Sequence, residues 1–456
     1  MEPLRIFPRE AAAPVDKLAT TSDKNYLVWT IGCQMNEAES SKVEAMLAQV
    51  GYSRTENEEL ADVIVLNSCV VRQAAEDKVA GKIGSLVRTK RNNPDVRIAV
   101  TGCMVTGQEK SLRERFPHVD LFFEPSEFSK LEQIVPELAG ADGDLAELPH
   151  YYQPLASDYR VTAHVPIIYG CNFVCSYCIV PYRRGREVSR PFDEIVQEVT
   201  RLGTSGVKEV TLLGQTVNAY GHDLPDGRDL ADLLEAINAV PGIERVRFLT
   251  SHPKYFSDKL IRAIADLPKL CEHVNLPVQA GDNEVLRRMR RTYTHEHYRD
   301  RIAMIRDTIP NVTLATDIIV GFPGETDEQF DNTLALLEDI RFDKVHVAMY
   351  SPRPGTLSSR WEDDIPHAVK HARHQAIERI QERVSLASHQ SMVGKREEIL
   401  VDGFAKGRWR GRTRGNNLVF FDATGDWLGQ TVDVEITTAT TWYLLGEPMA
   451  IATPVF

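Results

Sequence analysis

"YLVWTIGCQMNEAESSKVEAMLAQVG", residues 26–51, opens as a short apolar run, passes through a cysteine and continues with apolar residues at helical spacing. The same order returns in "ADVIVLNSC" (61–69), which leads into "RQAAEDKVAGKIGSLVR" (72–88), and again in "VRIAVTGC" (96–103). Apolar runs of about four to eight residues alternating with helical periodicity predict a parallel, doubly wound sheet covered by helices. The carboxyl ends of such strands share one edge, where ligands bind. Cys33, Cys69 and Cys103 each end a predicted strand, so three thiols distant in sequence are expected to converge. The plainer reading is three ordinary buried thiols, since cysteine is common in strands.

A second set of three is compact. "YGCNFVCSYC" (169–178) holds Cys171, Cys175 and Cys178. Four thiols would close a structural zinc site, whereas three leave one coordination position open for a substrate. A zinc knuckle borrowing a distant ligand is the alternative, with His164 the nearest candidate. The seventh cysteine, Cys271, precedes an apolar run and reads as a small buried hydrophobe.

Around this loop the alternation continues, with strands predicted at 162–168, 207–213, 245–250, 272–276, 313–320 and 344–349 and helices at 229–239 and 327–340. Six βα units are too few for a closed eightfold barrel and predict an open (β/α)6 partial TIM barrel. The strand ends are polar: "LLGQTVNAYG", "LTSHPK", "NLPVQAGD" and "DIIVGFPGET". A helix over 366–389 then leads to short strands separated by Gly and Asn turns, the pattern of a small all-β barrel. The domains are placed at 24–140, 157–388 and 391–455. In the last, "KGRWRGRTRGNN" alternates Arg408, Arg410, Arg412 and Arg414 about Trp409. Alternation along a strand puts these arginines on one face, suited to phosphates, although a charged edge strand that resists aggregation has the same pattern.

The 456 residues carry 53 Lys and Arg against 65 Asp and Glu, a net charge of -12, so a nucleic acid must be met by a local basic patch. Seven cysteines in so long a chain do not form a disulfide framework and suit a reducing compartment. No stretch approaches the roughly 20 apolar residues of a membrane span, and the first 25 residues lack a signal-peptide core. A cytoplasmic protein with no membrane partner is expected.

"GCNFVCSYCIVPYRRGREVSRP", "TIGCQMNEAES", "NSCVVRQAAEDK", "VTGC" and "GRTRGNNLVFF" together resemble the tRNA methylthiotransferases of the radical S-adenosylmethionine superfamily, over nearly the whole chain from Tyr26. The resemblance implies an N-terminal methylthiotransferase domain, a radical S-adenosylmethionine barrel and a C-terminal TRAM domain. It implies two 4Fe-4S clusters. Cys171, Cys175 and Cys178 would hold one, whose open iron is chelated by S-adenosylmethionine; Cys33, Cys69 and Cys103 would hold an auxiliary cluster that delivers the methylthio unit. One-electron cleavage of S-adenosylmethionine would give a 5′-deoxyadenosyl radical able to abstract hydrogen from adenine C2. Cofactor contacts are expected at Tyr177, Gln215, Asn218, Ser251, Gln279, Arg291 and Asp317, with Arg287, Arg288 and Arg290 competing with Arg291 for the carboxylate. "NSCVVRQ" with Arg72, and "RGREVSRP", resemble the branch acting on N6-isopentenyladenosine beside the anticodon. "LPVQAGD" departs from the expected pattern at Ala280. The partners implied are a tRNA anticodon stem-loop, an electron donor protein and a sulfur source, with the enzyme a monomer. Sister branches modify N6-threonylcarbamoyladenosine or a ribosomal-protein aspartate. A non-catalytic RNA-binding metalloprotein is the reading from another class.

Overall fold

The computed structural model describes residues 24–69, 73–140 and 161–449. Arg72, residues 1–23 and the outer ends of the second and third expected domains lie outside them.

The first unit is a five-stranded parallel sheet in the order Ser53–Arg54, Asn25–Ile31, Val63–Ser68, Arg97–Gly102, Leu121–Phe122. Period-two alternation divides its side chains between two cores. Leu27, Ile64, Leu66, Ile98 and Val100 pack on one face, and Tyr26, Val63, Val65, Ala99 and Leu121 on the other. Each such side chain contributes roughly 1.5–3 kcal/mol by leaving water. Strand order reverses between Asn25–Ile31 and Val63–Ser68, the switch point at which open α/β sheets bind ligands. Cys33 and Cys69 follow these two strands.

The second unit has six parallel strands in two ladders. One is Arg245–Phe248, Glu209–Leu213, Thr162–Pro166; the other is His273–Asn275, Thr313–Val320, Lys344–Met349. A bridge between Val246 and Leu270 joins them. The barrel is open between its outer strands, and the helix Gln34–Gln49 of the first unit packs beside Thr162–Pro166, where His164 Nδ1 lies 3.4 Å from Glu37.

The helix His367–Gln390 leads to the third unit, a closed barrel of Arg396–Ala405, Arg408–Thr413, Leu418–Phe421, Leu444–Pro448 and Thr431–Ala439. Its core includes Ile399, Val401, Val419, Phe421, Val434 and Ile436. It docks on the strand-starting end of the second unit. Arg245, 1% exposed, donates to Arg412 O at 2.6 Å and to Glu398 O at 3.1 Å, and Arg247 donates to Arg414 O at 2.6 Å and Thr413 O at 2.8 Å. Cys271 is 3% exposed, the small buried residue expected. Among the described residues no helix is long and apolar enough to cross a membrane.

Candidate active site at the junction of the three units

The first triad is built by glycines and amides. Gly32 precedes Cys33, and a Cβ there would fall 2.2 Å from Asn36 Oδ1. Gly102 precedes Cys103 at φ +96°, and its Cβ would fall 2.2 Å from Ser68 O. These absences let the strand ends close together, with Cys103 N donating to Ser68 O at 2.9 Å. Asn36, fully buried, accepts from Cys33 N at 3.3 Å and from Cys33 Sγ at 3.4 Å, and donates to Asn67 Oδ1 at 2.9 Å. Asn67 Nδ2 returns a bond to Asn36 O at 2.9 Å. Burial pushes the Cys103 thiol up to about 11, with the Arg184 guanidinium pulling the other way. A thiolate there calls for a cation or a metal cluster beside it.

The loop of the second triad turns at Gly170, φ +72°, where a Cβ would strike Arg186 O at 2.0 Å. Ser176 pins the loop to the barrel, its N donating to Met289 O at 3.0 Å and its Oγ to Arg288 O at 2.8 Å. Cys171 Sγ lies 3.4 Å from Thr216 Oγ1. Burial, and then the neighbouring Cys175, push Cys178 up to about 12. Of the four arginines considered for a carboxylate, Arg291 stands at the loop: its Nη1 donates to Cys175 Sγ at 3.4 Å and its Nε to Tyr293 Oη at 2.8 Å. Arg287 is exposed and paired with Glu284, Arg288 donates to Gly324 O, and Arg290 is exposed.

The other expected cofactor residues divide. Gln215 and Asp317 line a cavity of about 980 Å³. Ser251 is 4% exposed, and its buried Oγ has no partner, a hydroxyl suited to a bound polar group. Gln279 adopts φ +75° between two bonds to the next strand, Gln279 N to Asp317 O at 2.9 Å and Ile319 N to Gln279 O at 3.0 Å. Such left-handed backbone costs about 1–2 kcal/mol and is held by this pairing. Tyr177 packs edge-on to Phe322 at 6.4 Å. Asn218 is engaged by backbone. Its Nδ2 donates to His252 O at 2.9 Å and its Oδ1 accepts from His252 N at 2.8 Å, so it fixes the loop that presents Ser251.

Among the described residues no three His, Cys, Asp or Glu side chains converge on one point as a single ion requires. A cluster carries its thiolates on separate irons, so three one-loop cysteines with an open position fit a 4Fe-4S cluster without that convergence. Arg291 and the unpartnered Ser251 hydroxyl beside them fit the charged groups of S-adenosylmethionine. The cavity reaches all three units: its wall includes Cys33 and Cys69 of the first, Val180, Gln215 and Asp317 of the second, and Arg412, Asn416 and Trp442 of the third.

The arginine stripe is corrected by the structure. Arg414 lies past the end of its strand and is drawn into the domain interface, its Nε donating to Glu272 Oε2 at 2.8 Å. Arg412 donates to Asn416 O at 3.1 Å and faces the cavity. Arg408, Arg410 and Arg412 are 42%, 45% and 43% exposed, Arg408 opposite Asp422 and the other two opposite Asp402.

Sequence reading missed Asn36, Glu39, Asn67, Arg184 and His252. His252 stacks on Phe173 of the cluster loop at 3.8 Å, and burial pushes it down to about 2, so it is neutral. Arg184 donates from Nε to Cys103 Sγ at 3.2 Å and from Nη1 to Glu39 Oε1 at 2.6 Å. "NEAES" and "YRRGRE" carry Glu39 and Arg184, but nothing local to either stretch marks a partner 145 positions away.

Residues 165–337 match the Radical SAM superfamily, 25–124 the uncharacterized protein family UPF0004 and 390–449 the TRAM domain. The chain is similar to a protein of Herpetosiphon aurantiacus named tRNA-2-methylthio-N(6)-dimethylallyladenosine synthase, 49% identical over 93% of this chain and 98% of that one. A Roseiflexus protein of the same name is 48% identical over 96% of this chain and 93% of that one. Among solved structures, a radical S-adenosylmethionine methyltransferase from Kitasatospora setae with cobalamin and a 4Fe-4S cluster bound shares the fold. Its TM-score is 0.55 at 12% identity, over 85% of this chain and 80% of that one.

Proposed function

This chain belongs to the tRNA-2-methylthio-N(6)-dimethylallyladenosine synthases, which are radical S-adenosylmethionine transferases, and from that premise we propose that its two cysteine triads hold separate 4Fe-4S clusters that serve one substrate cavity. The protein converts N6-isopentenyladenosine of tRNA to its 2-methylthio derivative. The observation that supports the two-cluster reading is the helix Val180–Arg184 after Cys178, whose Arg184 reaches Cys103 Sγ at 3.2 Å and so joins the two triads, beside a cavity walled by Cys33, Cys69, Gln215 and Asp317.

When bound, the cluster at Cys171, Cys175 and Cys178 supplies one-electron cleavage of S-adenosylmethionine, and that at Cys33, Cys69 and Cys103 supplies the sulfur that becomes the methylthio group. The chain's own residues do the rest. Arg291, held against Cys175 and Tyr293, meets the cofactor carboxylate as a charge-assisted donor. Ser251, Gln279, Gln215 and Asp317 orient its remaining polar groups, and Tyr177 covers the adenine. The cavity walls keep water from the reacting carbon, which no acid–base pair would deprotonate. The tRNA is bound by its anticodon stem-loop, and Arg408 and Arg410 meet its phosphates. The enzyme acts as a cytoplasmic monomer fed by a separate electron donor protein and a sulfur source.

Anaerobic reconstitution followed by iron and sulfide analysis tests the cluster count: eight irons per chain are expected for two 4Fe-4S clusters, and four would remove one triad from the reading. With tRNA lacking the isopentenyl group, kcat/KM is expected to fall by about tenfold or more, because the apolar contact to that group is lost. Equal turnover of both tRNAs would show that the site does not read it. Changing Arg408 and Arg410 together to Gln is expected to lower the salt slope of tRNA binding by about one to two and to weaken affinity across all tRNAs alike. An unchanged slope, measured over a salt series, would assign these side chains to barrel solubility.

A further inference from the structure

We propose that Arg184 is a positioning residue for the auxiliary site, its guanidinium fixing Cys103 and raising the reduction potential of the cluster held by Cys33, Cys69 and Cys103. The inference rests on the assignment of those three cysteines to a second cluster.

Arg184 belongs to the radical unit. It ends the helix Val180–Arg184, which follows Cys178 directly, yet its head is spent in the first unit. Nε donates to Cys103 Sγ at 3.2 Å and Nη1 to Glu39 Oε1 at 2.6 Å, and the two ionic side chains are only 6% and 5% exposed. Nη2 is buried without a partner. Burying a guanidinium costs several kcal/mol, and an arginine with one carboxylate usually recovers this through two parallel bonds to its two oxygens. Here one of the two donor edges is given to sulfur. Glu39 Oε2 in turn accepts from Asn67 Nδ2 at 3.4 Å and Asn36 Nδ2 at 3.5 Å, the amides that hold the Cys33 and Cys69 loops together.

The neighbours of Arg184 keep its head in place. Ile179, adjacent to Cys178, packs in the first unit's core with Cys103 and Met104, and Arg183 donates to Thr106 O. The helix therefore ties the two cysteine loops into one body. A cationic N–H donor on a ligating sulfur withdraws electron density and favours the reduced cluster, since hydrogen bonds to sulfur and local charge set such potentials. Geometry thus gives Arg184 two effects on one atom, orientation and charge.

The test uses the full chain with Cys171, Cys175 and Cys178 changed to Ala, so that iron at the auxiliary site is seen alone, compared with the same chain carrying Arg184→Gln or Arg184→Lys. Iron content and a mediator-poised titration followed by electron paramagnetic resonance are measured anaerobically. At the potential where the unaltered site is half reduced, Arg184→Gln is expected to lower the ratio of reduced to oxidised cluster by about tenfold, the size of one charged hydrogen bond. Arg184→Lys, which keeps the charge without the fork, is expected to fall between. Loss of iron in Arg184→Gln with retention in Arg184→Lys also supports the role. An unchanged ratio in a Gln variant that keeps its iron overturns the proposal while leaving the second cluster intact. Loss of iron in both Arg184 variants overturns it too, as an effect on the fold. A parent chain without iron overturns the cluster assignment and the proposal with it.

Discussion

Cys175→Ala is expected to abolish 5′-deoxyadenosine formation, whereas Cys69→Ala is expected to retain it and lose methylthiolation. The asymmetry follows from where the two thiols sit. Cys175 is 9% exposed in the loop pinned by Ser176 to Met289 and Arg288, and Arg291 Nη1 donates to its sulfur, so its loss removes a proposed cluster ligand and one of the acceptors of Arg291. Nothing else in that loop offers a third thiolate. Cys69 follows the strand Val63–Ser68 of the first unit, whose cores are distinct from that of the barrel, with Ile179 of the radical unit entering one of them. Its replacement leaves the barrel, Arg291 and Ser251 unchanged. Quantifying 5′-deoxyadenosine and the methylthiolated nucleoside from the same anaerobic reaction distinguishes the outcomes. Equal loss of cleavage in both variants would refute the separation of roles.

Most of this architecture was legible because it is local. The strand, cysteine, helix order repeats around Cys33, Cys69 and Cys103, and a parallel sheet leaves one place for strand ends to meet. Strand boundaries at 313–320 and 344–349 coincide with Thr313–Val320 and Lys344–Met349, since β-branched runs between polar turns have one reading. The arginine stripe shows where locality fails. Alternation at Arg408, Arg410 and Arg412 reports one outward face of a strand, and that face exists, but what lies opposite it depends on docking. Arg414 meets Glu272, which stands 142 positions away. Asn218 shows the same limit: a polar residue at a strand end suits a ligand or a neighbouring backbone equally well, and here both ends of its amide bond the backbone of His252.

That docking makes Arg245→Met the second large effect. The guanidinium is 1% exposed at the seam between barrel and TRAM domain, donating to Arg412 O at 2.6 Å, Glu398 O at 3.1 Å and Glu398 Oε1 at 2.9 Å. Methionine fills much of the volume but removes the guanidinium donor from both carbonyls and leaves the Glu398 carboxylate, 48% exposed, to water. Each lost charge-assisted bond to those carbonyls costs about 1.5–3 kcal/mol. The adjacent Arg247, paired with Glu209 at 3.0 Å, and Arg414, paired with Glu272, retain part of the seam. The TRAM domain, with its own closed barrel and core, is expected to stay folded but to loosen from its seat. Hydrogen exchange should then rise at 396–399 and 412–414, and tRNA affinity should fall, because Arg412, Asn416 and Trp442 no longer complete the cavity wall. Cleavage of S-adenosylmethionine without RNA should change little, since Cys171, Cys175, Cys178, Arg291 and Ser251 line no part of the wall shared with the third unit. Unchanged exchange with unchanged tRNA affinity would mean that Arg247 and Arg414 hold the domain alone. Weakened affinity without added exchange would instead separate RNA binding from docking.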